Sequence, residues 1–203
     1  MADGDLAPPA APILEAMHLF TVDDYHRMGE AGIFADAGRV ELIEGVIASL
    51  SPVGPRHFAV VLRVSRLLAK AVGEQATLSI QGPVRMAPRS EPEPDVAVLK
   101  PRADDYEHGS PGPRDVILLV EVSDATLARD RDVKAPLYAR HGIVEYWLLD
   151  LNAREALVHR QPQPNEGRFL VVERKKADAV LELAALPGAR IPLAGVFGVA
   201  AAD

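Results

Sequence analysis

Two carboxylates stand where an ionised group is expensive. Glu121 follows Val116-Ile-Leu-Leu-Val120, five aliphatic residues that read as a buried strand. Asp95 precedes a second such run, Val96-Ala-Val-Leu99, in Glu91-Pro-Glu-Pro-Asp95, where Pro94 fixes the backbone entering it. A carboxylate in such a place needs a cation, hydrogen bonds or a raised pKa. If the two strands are neighbours, the acids converge. Paired oxygen ligands suit Mg2+ or Mn2+, which take one or two protein carboxylates and keep several waters for a phosphate substrate. Each acid also has a plainer reading: Glu121 as half of a buried ion pair with Arg129 or Arg131, and Asp95 as an ordinary strand-start acid.

The elements that would position them follow from periodicity. Residues 116–122 are apolar on both faces except at Glu121, as in a central strand covered on each side, and 144–149, ending at Asp150, is a second such strand. Between them, 128–140 reads as a helix stopped at Gly142, with Pro136 in its first turn or kinking it. Strand, helix, strand is a βαβ unit and predicts an α/β fold. Residues 57–72 repeat Phe58, Val61, Leu62, Val64, Leu67, Leu68 and Ala71 at three- and four-residue steps, the mark of an amphipathic helix ending at Gly73. Glu44-Gly45 between two β-rich runs predicts an N-terminal hairpin whose strands alternate around Val40, Leu42 and Val46, Ala48. Thr21 with Asp24 forms a capping-box pattern for a short helix ending near Gly29 or Gly32. Short strands are expected over 77–80, 84–86 and 96–99, an exposed loop over 100–114, and a C-terminal hairpin from 155–160 and 168–173 ahead of an apolar end broken by Pro and Gly. Residues 1–12 read as a flexible tail and 13–203 as one domain.

Composition narrows the chemistry. The 203 residues carry 22 basic and 29 acidic side chains, a formal charge of −7, and no cysteine. Thiolate zinc sites, iron–sulfur clusters, disulfides and cysteine nucleophiles are excluded. No apolar run approaches the ~18 residues of a membrane span, and the acidic start lacks the basic region of a secretory signal, so a cytoplasmic location is expected. The net charge opposes sequence-independent duplex binding, which draws on many Lys and Arg contacts to phosphate. A local surface from Arg56, Arg63, Arg66, Arg85, Arg89, Arg129 and Arg131 would offset it. No P-loop, dinucleotide fingerprint or G-x-S-x-G elbow appears, and Ser110 lies in a predicted loop.

Pro94-Asp95 followed by Glu121-Val122-Ser123 resembles the PD-(D/E)XK nuclease signature, with Ser123 at the usual lysine position. The longer string, Ser90-Glu-Pro-Glu-Pro-Asp95, Leu119-Val-Glu-Val-Ser123, Asp130-Arg-Asp-Val-Lys134, Leu137-Tyr-Ala139 and Gly142-Ile-Val-Glu-Tyr-Trp147 with Asp150, resembles the Uma-two family of restriction endonuclease-like proteins. Arg39-Val-Glu-Leu-Ile-Glu-Gly45 and Arg56-His57 fit the same pattern, which covers roughly residues 20–175. The resemblance implies a restriction endonuclease-like α/β/α core, with a central mixed sheet between helices. It implies a Mg2+-dependent endonuclease acting on DNA, with Asp95 and Glu121 on the metal. The missing lysine would come from the helix after the glutamate strand, where Lys134 matches; its plain alternative is a solvated lysine paired with Asp130 at i−4. Glu41 matches the hairpin glutamate, as a third ligand or a group orienting the lysine, or else is an exposed strand acid. His57 would contact phosphate or a metal-held water, or simply make a local hydrogen bond. Gln81 would line the pocket. Tyr138, Tyr146 and Trp147 read as core. The fold also suggests a homodimer, since duplex cleavage often uses two sites. The rival function is a noncatalytic module that keeps this fold to bind nucleic acid or a protein.

Overall fold

The structure, a computed structural model, describes residues 16–198; the tail expected over 1–12 lies outside the described residues. In chain order the elements are α1 (Val22–Glu30), the hairpin β1 (Val40–Ile43) and β2 (Val46–Ser49), α2 (Pro55–Val72), β3 (Thr77–Ile80), β4 (Val96–Leu99) and β5 (Val116–Ser123). A composite helix α3 follows, built from Leu127–Arg129, a π-helical turn Asp130–Lys134, and Ala135–Arg140. Then come β6 (Glu145–Asp150), β7 (Glu155–Gln163), β8 (Arg168–Lys176), the small hairpin β9 (Val180–Glu182) and β10 (Arg190–Pro192), and α4 (Leu193–Phe197). One six-stranded mixed sheet, ordered β3-β4-β5-β6-β7-β8, forms the centre. Only β5 and β6 run parallel within it, joined by the right-sized crossover α3.

Alternate residues of a strand face opposite sides of its sheet. Val96, Val98, Leu118, Val120 and Trp147 therefore pack on the side of α2 and α4, with Val60, Val64 and Leu68. Ala97, Leu119, Tyr146 and Leu148 pack on the other side, with Leu137, Tyr138 and Ile143 around α3. All eight residues of β5 are buried, including Glu121, which by its parity faces α3. The α/β/α expectation holds.

Two local expectations change, and two are met with additions. Residues 84–86 form no strand: Pro83 and Pro88 flank them, Val84 donates to Pro92 and Arg85 to Pro111, and only Met86 bridges to Ser90. All of β1 is buried rather than alternating, because Glu41 turns inward to ionic partners while β2 stays outside. The expected C-terminal hairpin extends the central sheet as β7 and β8, and the broken apolar end folds into β9, β10 and α4 against the α2 side. Finally, Pro136 has no N–H for the carbonyl four residues back, and the chain widens into a π-turn in which Ala135 N–H reaches Asp130 O. That turn pushes residues 131–133 into solvent and buries both its ends, Asp130 and Lys134.

The capping box at Thr21 and Asp24 forms as expected. So does the turn at Glu44-Gly45, where both residues have positive φ, 50° and 84°. Such a primed turn matches the twist of a two-residue hairpin. A Cβ on Gly45 would stand 2.6 Å from Leu19 Cβ. Gly45→Ala is accordingly expected to lower unfolding free energy by about 1–3 kcal/mol, as strain at positive φ does, measured by urea titration; an unchanged midpoint would contradict this account of the turn.

His159 sits between the Tyr146 and Phe169 rings and donates Nδ1–H to Leu157 O at 3.1 Å. Burial lowers its pKa below the usual 6.5, against backbone hydrogen bonds that raise it. A depressed basic group contributes stability that is present above pH 6.5 and is lost as pH falls through the folded pKa. His159→Phe should remove that acid-side loss, so the stability difference between wild type and variant should shift in the variant's favour from pH 7.5 to pH 5. Parallel denaturation curves at both pH values would refute the assignment.

Candidate active site

The register of β4 against β5 makes the site. Val96 pairs with Val120 across antiparallel strands, and one step further Asp95 stands opposite Glu121. Directly opposed residues of an antiparallel pair project from the same face, a few ångströms apart. Asp95 Oδ2 accepts Val122 N–H at 2.8 Å and His57 Nε2–H at 3.0 Å, and its Oδ1 takes only a long 3.3 Å contact from Gln81. His57 enters from the first turn of α2, and Gln81 follows the end of β3 with φ of 52°.

Glu121 is held differently. Lys134 Nζ and Tyr138 OH both donate to its Oε1, at 2.8 and 2.7 Å. Its Oε2 makes no hydrogen bond among the described residues. Lys134 and Tyr138 are four apart on α3, so one helical face carries both donors. Lys134 Nζ also lies 3.3 Å from Glu41 Oε2. Glu41 is fully occupied: Oε1 takes Arg129 at 2.6 Å, and Oε2 takes the backbone N–H of Glu93 at 3.0 Å.

The electrostatics follow from burial. Complete desolvation pushes Glu121 up to about 8, against the pull of the Lys134 ammonium. Burial alone would lower Lys134, but Glu121 and Glu41 outweigh it and leave the ammonium raised and firmly charged. The hydrogen bond to Asp95 raises His57, against burial.

All five candidate residues, Asp95, Glu121, Lys134, Glu41 and His57, line one cavity of about 230 Å³, to which residues 50–54 also contribute. Of the alternatives weighed from sequence, the buried ion pair at Glu121 forms with Lys134 rather than an arginine, while the strand-start reading of Asp95 and the local hydrogen bond of His57 stand beside the functional ones. Glu121 pairs with neither Arg129, which is on Glu41, nor Arg131, which is on Asp132 at the surface. Lys134 is 3% exposed and makes no bond to Asp130. Glu41 is buried rather than an exposed strand acid, and both its oxygens are committed, which suits a group that orients the lysine. Five of the seven arginines, Arg56, Arg63, Arg85, Arg129 and Arg131, are tied to protein partners. Arg56 donates to Leu151 O and Asn152, Arg63 to Phe197 O, and Arg85 to Asp23.

Three features were missed in the sequence. Arg129 reads from the sequence as a partner for Glu121 or part of a basic surface, not as the partner of Glu41; Tyr138 reads as core, although its i+4 spacing from Lys134 signals a shared target. Asp130 was weighed only as a lysine partner, whereas its Oδ2 accepts from the hydroxyls of Ser123 and Thr126.

A mixed sheet that presents Asp and Glu side by side from adjacent strands, with a lysine supplied by the crossover helix, defines a restriction endonuclease-like protein. The chain belongs to the Uma2 family, described as "Putative restriction endonuclease", whose model matches residues 22–194. Its structure is similar to a crystal structure described as "a putative nuclease belonging to DUF820" from Anabaena variabilis. That match has a TM-score of 0.66 and 18% identity, over 88% of this chain and 97% of the other. Among curated proteins no relative matches.

Proposed function

We propose that this protein is a Mg2+-dependent endonuclease that hydrolyses DNA phosphodiester bonds. The observation that carries the reading is the facing pair Asp95 and Glu121, the first with Oδ1 held only by a 3.3 Å contact from Gln81 and the second with Oε2 free of protein partners among the described residues. Hard carboxylate oxygens suit Mg2+ or Mn2+. Among the described residues no three His, Asp or Glu side chains come together as a metal-holding group, so two carboxylates with several waters is the fitting set. When bound, the ion supplies a water of lowered pKa and offsets charge at the scissile phosphate.

The chain's own residues prepare this. His57 donates to Asp95 Oδ2 and, with Val122 N–H, locks its rotamer, turning Oδ1 outward. Tyr138 does the same for Glu121 through Oε1. Lys134 brings a permanent positive charge to the cavity, where it stabilises negative charge developing on the phosphate. Arg129 and the Glu93 N–H hold Glu41, and Glu41 in turn holds Lys134.

The second reading is a noncatalytic module of the same fold. The committed arginines and the net charge of −7 favour it, since they leave little free cationic surface for duplex phosphates. Plasmid nicking with Mg2+, with EDTA, and by Glu121→Gln separates the two. Metal-dependent nicking lost in the variant supports the endonuclease, and metal-independent DNA binding without nicking supports the module.

A further inference from the structure

Asp130 lines the cavity but belongs to neither the carboxylate pair nor the lysine network. It is 4% exposed, and its Oδ2 is taken by two hydroxyls, that of Ser123 and that of Thr126, the latter at 2.7 Å. Its Oδ1 makes no hydrogen bond among the described residues. With one oxygen tied down by two hydroxyls and the other free of protein partners in a residue that lines the cavity, Asp130 can accept a hydrogen bond from a group bound there.

On the reading that this cavity hydrolyses phosphodiesters, we propose that Asp130 is a further catalytic residue: its Oδ1 accepts a hydrogen bond from the attacking water and sets that water's line of approach to phosphorus. The water's proton passes to Asp130 Oδ1 as its oxygen bonds to phosphorus, and the phosphorus–oxygen bond to the leaving strand breaks with its electron pair on the leaving oxygen, which takes a proton from solvent water.

Two observations converge on this role. The π-turn buries Asp130 and Lys134 together while residues 131–133 face solvent, which places an acceptor and a cation at the two ends of one turn; π-turns recur at functional sites for this kind of reason. Ser123, two residues after Glu121 on the same face of β5, stands where the nuclease signature has lysine. Its hydroxyl reaches Asp130 Oδ2. The serine is thus the anchor of a carboxylate, and the departure from the signature has a function.

The test compares wild type, Asp130→Asn and Ser123→Ala in cleavage of a plasmid or duplex oligonucleotide, alongside calorimetric Mn2+ titration of each protein and a thermal melt. Asp130→Asn is expected to lower kcat by about 100-fold or more, the usual scale for a positioned proton acceptor, with KM and Mn2+ affinity unchanged. Ser123→Ala should lower kcat by about tenfold, the low end for a supporting partner, again with no change in KM. A folded Asp130→Asn variant with wild-type kcat overturns the proposal, and so does one whose Mn2+ affinity collapses, because that makes Asp130 a ligand. Should Asp130→Asn fail to fold, Ser123→Ala decides alone, and an unchanged kcat in it overturns the role. Wild type that cleaves nothing with any divalent metal overturns the endonuclease reading and this role together, whereas an active wild type with an equally active Asp130→Asn overturns this role only.

Discussion

Glu121→Gln is expected to abolish cleavage while leaving the fold in place. The amide keeps the shape of the acid and its Oε1 still accepts from Lys134 and Tyr138, so the core around α3 loses no packing. What disappears is the negative charge whose free oxygen is the proposed metal ligand. Supporting partners of metal ligands alone are commonly worth 10–100-fold in activity or affinity, and removal of a ligand itself should exceed that, with cleavage falling by about 100-fold or more. Stability shifts in two opposing directions, because Lys134 keeps only Glu41 as its buried counter-charge while the buried acid's own desolvation is removed. Burial raises Glu121 to about 8, and an acid raised in the folded state contributes stability that is present below its unfolded pKa, near 4.5, and is lost as pH rises toward 8. Glutamine carries no such loss, so the variant should gain on wild type across that window. Plasmid nicking with Mn2+ or Mg2+, read beside urea titrations at pH 5 and pH 8, checks both halves. Full cleavage by the variant would remove Glu121 from the chemistry.

Lys134→Met should damage stability and activity together. The ammonium is buried between Glu121 and Glu41, and removing one partner of a buried ion pair typically costs 3–5 kcal/mol. Here Arg129 still pairs with Glu41 and Glu121 can hold a proton, so the low end, about 3 kcal/mol, is expected. The loss should be smaller at pH 5 than at pH 8, because protonating Glu121 relieves the uncompensated charge. Lys134→Met combined with Glu121→Gln should then recover part of the stability, a non-additivity expected of contacting residues, with cleavage still absent. Denaturant titration of the two single variants and the double variant gives the coupling directly; strict additivity would mean that Lys134 and Glu121 do not communicate.

Much of the site was readable before folding. Glu121 was conspicuous because five aliphatic neighbours made its burial unavoidable, and Asp95 because Pro94 set the start of a second apolar run. The three-and-four spacing in α2 and the turn at Glu44-Gly45 were likewise local, and local signals survive folding when tertiary packing agrees with them. Lys134 was legible only through its resemblance to a family pattern, since a lysine four residues after an aspartate on a helix is ordinarily a solvated pair.

The identity of the chemistry-bearing residues was therefore written along the chain: two carboxylates, a lysine and a hairpin glutamate, on an α/β frame. Which group meets which was decided only in three dimensions. The β4–β5 register set Asp95 opposite Glu121, and a shift of one residue would have sent one of them to the other face. Pro136, by withholding one N–H, opened the π-turn that swung Lys134 and Asp130 inward. Glu41 traded solvent for Arg129, Lys134 and the Glu93 backbone because the hairpin folded onto the sheet. Long-range pairing of charges depends on strand register, helix phase and the removal of water, and none of these is a property of a residue's immediate neighbours in the chain.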